Sequence, residues 1–483
     1  MSNLTDLLPA GAGGKQVSFV ASGTLGSGVT VGLNSDGTVT AVAENTYTDN
    51  SGTPVVVQNY NSQAFSTTYD SDNNKIIVVY TNKVVIGTVS GASISFGTPV
   101  NYYGSTTIYG LSVVYITGQN KIVINFGIGS TSHAAVVGTI SGTSISFGTV
   151  NAYVSAYLSE NSITYDPNTD RVVTFCRDLS AYSGTAYVGT ISGTSISFGS
   201  GVLFSGSGSD PRFLTSGYMP DSQNVYCVYK NGSGYATTIV GTVSGTSITF
   251  GSSQSYTTEQ VRAGTFLLAS AWNPVDNVLG IAFQGQTTNY TKILAATISG
   301  TTVTYGSDVT LTMNSWSGLS VAYGSAPNKF IVTAYDSSYN NYGSSYTFTV
   351  SGTTPSVGNY LIYESAASYV NSNGQGVTYD ANAKKFVTIY RDNGNSNYLT
   401  SAVITASFTD TNYADFIGIT DAAISDTVSG SVTIKGGIST NVTGLTPNQN
   451  YYVQTDGTLS TTASDVLAGK ALSSTSINLD YTS

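Results

Sequence analysis

A phrase of eleven residues, Gly-Thr-Val-Ser-Gly-Ala-Ser-Ile-Ser-Phe-Gly at 87–97, returns almost unchanged at 138–148, 189–199 and 241–251, and more loosely at 296–306 and 348–358. The serine of its Ser-Gly turn falls at Ser90, Ser141, Ser192, Ser244, Ser299 and Ser351, which gives spacings of 51, 51, 52, 55 and 52 residues. A repeat of this kind constrains the fold more than any other feature, because each copy must be one supersecondary unit that buries its apolar faces against its neighbours. A period near 50 is too long for a solenoid coil and suits a four-stranded propeller blade.

The unit around Ser192 shows the four strands. Ser162-Ile-Thr-Tyr is followed by the polar turn Asp166-Pro-Asn-Thr-Asp, then Arg171-Val-Val-Thr-Phe-Cys, then Ala186-Tyr-Val-Gly-Thr-Ile, and Ser192-Gly-Thr turns the chain into Ser195-Ile-Ser-Phe. Six such copies are complete. A seventh has Gln375-Gly-Val-Thr-Tyr, Lys385-Phe-Val-Thr-Ile-Tyr and Ser401-Ala-Val-Ile-Thr-Ala but no fourth strand. Upstream of the first unit, Thr53-Pro-Val-Val-Val-Gln-Asn-Tyr matches the end of later fourth strands such as Thr98-Pro-Val-Asn-Tyr-Tyr. Lending it to the last unit closes the ring and removes two exposed sheet edges. The expected fold is all-β: a seven-bladed β-propeller over 53–408, and a small β-sandwich or β-roll formed by the two ends, 1–52 and 409–483. In those ends Gly28-Val-Thr-Val-Gly-Leu with Gly37-Thr-Val-Thr-Ala-Val, and Tyr451-Tyr-Val-Gln with Gly457-Thr-Leu-Ser-Thr, read as hairpins turned at Asp36 and Asp456.

Composition supports a folded chain, since 40% hydrophobic and 11% aromatic residues supply enough apolar surface to offset chain entropy although only 9% are charged. Sixteen Lys and Arg against 26 Asp and Glu give a net charge of −10 with no basic cluster, which argues against nucleic acid as a partner. No basic segment leads into an apolar one, and no run of about 20 apolar residues occurs, so neither Sec export nor membrane insertion is expected.

The chemistry-bearing residues are few. His133 is the single histidine, so a multi-histidine metal site is excluded, and its place beside Ala134-Ala-Val-Val reads as structural. Cys176 and Cys227 sit in second strands of neighbouring units, offset by two residues, and read as small buried hydrophobes. The loop acids Glu160, Asp178, Asp210, Glu259, Asp336, Glu364 and Asp392 show no pairing of the kind a glycosidase needs. Asp70, Asp72, Asp166, Asp170 and Asp276 lie in turns of varying spacing, where Asx-turn chemistry accounts for them without calcium. No catalytic residue, metal or cofactor is expected.

Loops between consecutive units share one face with the loops between second and third strands, and this face holds most of the unusual residues. Tyr109, Tyr157, Tyr182, Tyr235, Tyr256, Tyr290, Trp316, Tyr342, Tyr369 and Tyr398, with Arg177, Arg212, Arg262 and Arg391, are the candidate ligand-binding residues. Tyr102, Tyr103, Tyr153, Tyr339 and Tyr363 are placed in the same loops. Variable loops on a rigid scaffold are where binding usually resides, and tyrosine offers a flat ring with a polar tip at low entropic cost.

Residues 8–25 (Leu-Pro-Ala-Gly-Ala-Gly-Gly-Lys-Gln-Val-Ser-Phe-Val-Ala-Ser-Gly-Thr-Leu) and 415–430 (Asp-Phe-Ile-Gly-Ile-Thr-Asp-Ala-Ala-Ile-Ser-Asp-Thr-Val-Ser-Gly) resemble virion structural proteins of marine tailed bacteriophages, cyanophages in particular. The stretch 444–461 followed by Ala468-Gly-Lys-Ala-Leu-Ser carries most of the likeness. The resemblance implies a particle component assembled in the host cytoplasm, and it brings no catalytic residues. The leading expectation is a non-enzymatic tail fibre or appendage adhesin that binds a host surface glycan or protein and joins other virion proteins through its terminal module. A capsid-decorating or neck protein is the alternative, and a polysaccharide depolymerase a third. No heptad pattern supports a coiled-coil stalk, so self-association, if present, runs through the terminal module or the propeller sides.

Overall fold

The computed structural model describes residues 15–34, 36–59, 64–105, 108–129, 132–155, 158–367 and 376–479. Their regular structure is β-strand, with two three-residue 3-10 turns at Asn393–Asn395 and Tyr413–Asp415. The chain divides into two compact units, Thr48–Ser407 and the pair Met1–Tyr47 with Phe408–Ser483.

The larger unit is a β-propeller made of antiparallel four-stranded sheets. The third sheet runs Leu158–Asp166, Arg171–Asp178, Ser183–Ser192 and Ser195–Phe198 in spatial as in sequence order, and its second strand has six consecutive buried residues. Such a run, in place of a two-residue alternation, marks a strand covered on both faces. Side chains from adjacent sheets share clusters: Val173, Phe175 and Val188 of the third pack with Leu214, Val225 and Cys227 of the fourth. First strands neighbour one another in chain order from Phe65–Asp70 onward, and Gly376–Asp380 of the last sheet returns to Phe65–Asp70.

The fourth strand comes in two halves in every sheet but the sixth, where Thr354–Ala367 runs on as one bulged strand. Ser144–Phe147 pairs with the outer part of Ser132–Ser141, the chain kinks at Gly148, and Asn151–Val154 pairs with the inner part of the same strand. Gly97, Gly199, Gly251 and Gly306 occupy the same kink, each donating its N–H to the third strand. The last sheet is built alike from distant sequence. Asn50–Ser51 and Val55–Gln58 pair with Tyr398–Thr405, and Gly52 N–H donates to Val403 O at 2.9 Å. The strand thus begins at Asn50, upstream of the expected Thr53, because the residues before the kink belong to it.

The kink glycines are required by the neighbouring sheet. A Cβ added at Gly52, Gly148, Gly199 or Gly306 would stand 1.6, 1.9, 2.0 or 1.9 Å from the carbonyl oxygen of Ala92, Thr194, Thr246 or Thr353, each in the Ser-Gly turn of the next sheet. The last sheet therefore meets the first through the same contact that joins consecutive sheets. Gly148→Ala is expected to destabilise the protein by about 1–3 kcal/mol, because backbone rather than a flexible side chain blocks the new methyl. Thermal unfolding of the variant checks this; an unchanged melting temperature would mean the sheets do not approach so closely.

In the smaller unit the two ends of the chain share one sheet, ordered Gln16–Val20, Ser429–Ile434, Phe416–Thr420, Thr30–Leu33 and Val39–Ala41. A second sheet joins Ile438–Ser439, Ser476–Leu479, Leu467–Ser473, Asn450–Val453 and Leu459–Ser460. The two Asp-Gly turns are alike. Asp36 and Asp456 each accept from the N–H of the threonine two residues on at 2.9 Å, with Gly37 and Gly457 at φ of 84° and 83°.

Candidate functional site

Antiparallel pairing of first and second strands, Phe65 opposite Tyr80 and Arg212 opposite Lys230, puts the amino ends of the first strands at the same end of the unit as the second-to-third loops. At that end a cavity of about 200 Å³ lies between the first strands. Thr67, Ser112, Asn161, Ser162, Thr215 and Ser320 line it together with Phe65, Leu111, Leu214, Phe266, Leu268 and Leu319. Neighbouring sheets bond beside it: Ser162 Oγ to Ser216 Oγ at 2.8 Å, Thr215 Oγ1 to Ser270 Oγ at 3.2 Å, and Val377 N–H to Ser320 Oγ at 3.1 Å.

The opposite end is occupied by its own turns. Asp70 Oδ1 and Asp166 Oδ1 accept from backbone N–H groups two residues on, at 3.0 and 2.9 Å, as Asx-turns do. Asp72 Oδ2 takes hydrogen bonds from Tyr115 Oη and Gly118 N–H of the next sheet, both at 2.7 Å, and Gln119 Nε2 donates to Asp170 Oδ1 at 2.8 Å. Asn277 Nδ2 likewise donates to Asp221 Oδ2 at 2.6 Å, and Asn382 N–H to Tyr69 Oη at 3.2 Å. These polar groups are engaged within their own turns or between sheets, and the described residues contain no cluster of three or more His, Cys, Asp or Glu fit for a metal.

At the loop end the candidate residues fall into separate groups. Arg177 and Arg212 share Asp210: Arg212 Nε lies 2.9 Å from Asp210 Oδ2, Arg177 Nε 2.8 Å from Oδ1, and Glu160 Oε1 3.7 Å from Arg177 Nη1. Burial pushes the Glu160 carboxyl above its usual range despite the Phe213 N–H and Arg177 beside it. Tyr182 is half exposed, with its ring centroid 6.0 Å from Arg177 Cζ. A second group lies on the loops of the fifth and sixth sheets. There Arg262 stacks on exposed Trp316 with Cζ 3.7 Å from the ring centroid, and exposed Tyr290 sits on the adjoining loop. Tyr342 contacts the exposed Tyr339 edge-on, while Tyr235 and Tyr398 are half-buried at the starts of their third strands. Tyr157 and Tyr369 lie outside the described residues, as does the side chain of Tyr109.

Three candidates are corrected. Tyr256 is buried, edge-on to Phe283 and Tyr305, and its hydroxyl binds Asp308, because Gln254–Gln260 is the second half of a fourth strand and not a loop. Arg391 and Arg177 are buried near the ends of second strands, between sheets that cover both faces. Tyr102 and Tyr363 are buried for the same reasons, and Tyr153 is partly buried, stacking on Phe198 at 4.0 Å. His133 is fully buried, with Nδ1 3.4 Å from Asn125 Oδ1, and Cys176 and Cys227 are buried free thiols.

One charge cluster went unread in the sequence. Lys292 Nζ lies 2.9 Å from Glu259 Oε2 and 2.5 Å from Asp308 Oδ2, and Glu259 Oε1 accepts from the N–H groups of Thr287 and Thr288 at 3.0 Å. It pins the loop that bears Tyr290. Burial alone would raise the Glu259 carboxyl, but Lys292 and the two N–H donors outweigh it and hold it below its usual value. A depressed carboxylate stabilises the fold above its unfolded pKa of about 4.3 and loses that contribution as pH falls through the folded value. Melting temperature is therefore expected to drop on acidification below about pH 4, and to drop less over that window in Lys292→Met; equal pH profiles would show that the cluster contributes nothing.

No protein-family model matches this sequence, and no curated protein is significantly similar to it. Similar solved structures include a chain of the mitotic checkpoint complex, 9% identical, covering 73% of this chain and 91% of that one with a TM-score of 0.47. A protein from Lactobacillus plantarum is 12% identical, covering 72% and 96%, with a TM-score of 0.46. Saccharomyces cerevisiae Sqt1 is 10% identical, covering 74% and 99%, with a TM-score of 0.43.

Proposed function

We propose that this chain is a non-enzymatic structural protein of a tailed-bacteriophage particle, an appendage adhesin whose propeller turns its loop end to a host surface glycan or protein. The observation that carries this reading is the asymmetry of the two ends. Trp316, Tyr339, Tyr182 and Tyr290 are 52, 52, 50 and 42% exposed at the loop end, whereas the turns of the other end are engaged in bonds between sheets. Exposed aromatic rings on a rigid frame are the residues that dominate recognition surfaces.

The finer architecture belongs to the same proposal. The propeller has seven blades, the seventh completed by residues 50–58, and the two chain ends form one anchoring module. Val20, Val428, Ile438 and Leu472 are 41, 51, 52 and 52% exposed in that module, apolar surface suited to contact with other virion proteins. The phage assignment rests on the resemblance at 8–25, 415–430 and 444–473. A depolymerase draws less support, since Glu160, Asp210 and Glu259 serve as counter-ions to Arg177, Arg212 and Lys292.

Purified full-length protein is expected to bind susceptible host cells, and several copies per particle would raise weak single-site affinity by avidity. Flow cytometry with labelled protein tests this. Absence of binding to every susceptible host would overturn the adhesin reading.

A further inference from the structure

We infer that the loops of the fifth and sixth sheets form a carbohydrate-stacking site centred on Trp316, with Arg262 as its backing. The inference rests on the proposal that the loop end engages the host surface, and it commits that contact to a pyranose-bearing polysaccharide.

Trp316 is one of two tryptophans in the chain and is 52% exposed, between Ser315 and Ser317, which are 0 and 6% exposed. A large apolar ring is here held out from a buried backbone, although burying it would be favourable. The backbone beneath it is tied down on both sides. Ser315 N–H donates to Gln284 Oε1 at 3.2 Å and Ser315 Oγ to Ser317 O at 2.8 Å. Gly318 and Leu319 donate to the carbonyls of Thr265 and Phe266 at 3.2 and 2.9 Å.

Arg262 covers one face of the indole at 3.7 Å. Its own backbone is fixed to Gln284 O at 2.8 Å. Unlike Arg177, Arg212 and Lys292, it has no described carboxylate within 4.0 Å, and its Nη1 has no hydrogen-bond partner among the described residues. One ring face is thus backed by a cation while Trp316 as a whole stays 52% exposed. That ring loses little freedom on binding, which removes one of the costs a stacked ligand must offset. The C–H face of a pyranose matches an indole face in size and polarity, and the loop that bears the exposed Tyr290 is tied to the Arg262 segment by Ala263 N–H donating to Gln286 Oε1 at 3.1 Å.

The test uses intact protein and purified surface polysaccharide of the host cell, read by tryptophan fluorescence in a Trp272→Phe background that leaves Trp316 as the only indole. A saturable change on titration is expected. Trp316→Ala should weaken binding at least tenfold in a plate assay, Trp316→Tyr should restore much of it, and Arg262→Ala should weaken it severalfold, all with unchanged circular dichroism. Polysaccharide bound equally by wild type and Trp316→Ala overturns this site while leaving the loop-end adhesin intact. Wild type that binds host cells but no polysaccharide overturns the carbohydrate assignment in favour of a protein receptor. Wild type that binds neither overturns both readings.

Discussion

Val57→Asp in the full-length chain is expected to cost on the order of 4 kcal/mol or more and to yield protein that aggregates on mild heating. Val57 is buried in Val55–Gln58, the strand that completes the last sheet, and it packs in a cluster with Val85 and Ile94 of the first sheet and Val387 and Leu399 of the last. A carboxylate there would meet no cation, so the strand would detach from Tyr398–Thr405 and leave that strand as an open edge. Seven consecutive residues of it, Leu399–Thr405, are buried in the native state, so the exposed edge would uncover Leu399, Ala402, Val403 and Ile404 beside unpaired backbone groups. The neighbouring Val56 points the other way and is 36% exposed, so Val56→Asp should cost under about 1 kcal/mol. Thermal unfolding and light scattering of the two variants check the pair. Equal effects would mean the strand is not held in this register.

The second large effect is expected at Arg177. Replacement by methionine strands the Glu160 carboxylate, which has only 14% of its side chain exposed, and leaves Asp210 to Arg212 alone; breaking such a buried pair costs about 3–5 kcal/mol. Denaturant unfolding at neutral pH should show this loss, and adding Glu160→Gln should recover part of it. The pH dependence has a defined sign. Glu160 already has a raised pKa through burial, and without Arg177 it rises further, so the variant's deficit should shrink as pH falls through that value. Asp210 works the same way in the comparison. Burial raises its carboxyl, Arg177 and Arg212 lower it more, and the wild type loses that contribution in acid. A deficit that stays constant from pH 7 to pH 4 would show that Arg177 acts by packing alone.

Much of the scaffold was legible because the Ser-Gly turn and the phenylalanine-glycine pair repeat at a fixed period, and the four strands of each unit are bounded by turn residues. The match of Thr53-Pro-Val to Thr98-Pro-Val located the strand that pairs with the last sheet, although its first residues, Asn50–Ser51, carry no apolar signal and were missed. The site was less legible for one physical reason. Outside the sixth sheet each fourth strand resumes after its kink glycine, so residues following the Phe-Gly pair read as loop although they are strand. Tyr153 and Tyr256 were misplaced in this way. Arg177 and Arg391 were misplaced because a sheet covered on both faces has no polar side, and charge alone suggested exposure. Trp316 and Arg262 were chosen by residue type; their stacking joins segments 54 residues apart and has no local sequence signal.

The central claim is that the loop end of the propeller meets the host while the joined chain ends hold the protein to the particle. Electron cryo-microscopy of the intact phage, with this chain located in the density, tests it most directly. The account predicts a position at the tail or baseplate periphery with Trp316, Tyr339 and Tyr182 facing outward. Density on the capsid lattice or neck, with those residues buried against a neighbouring subunit, would contradict it and make the same aromatic rings assembly contacts.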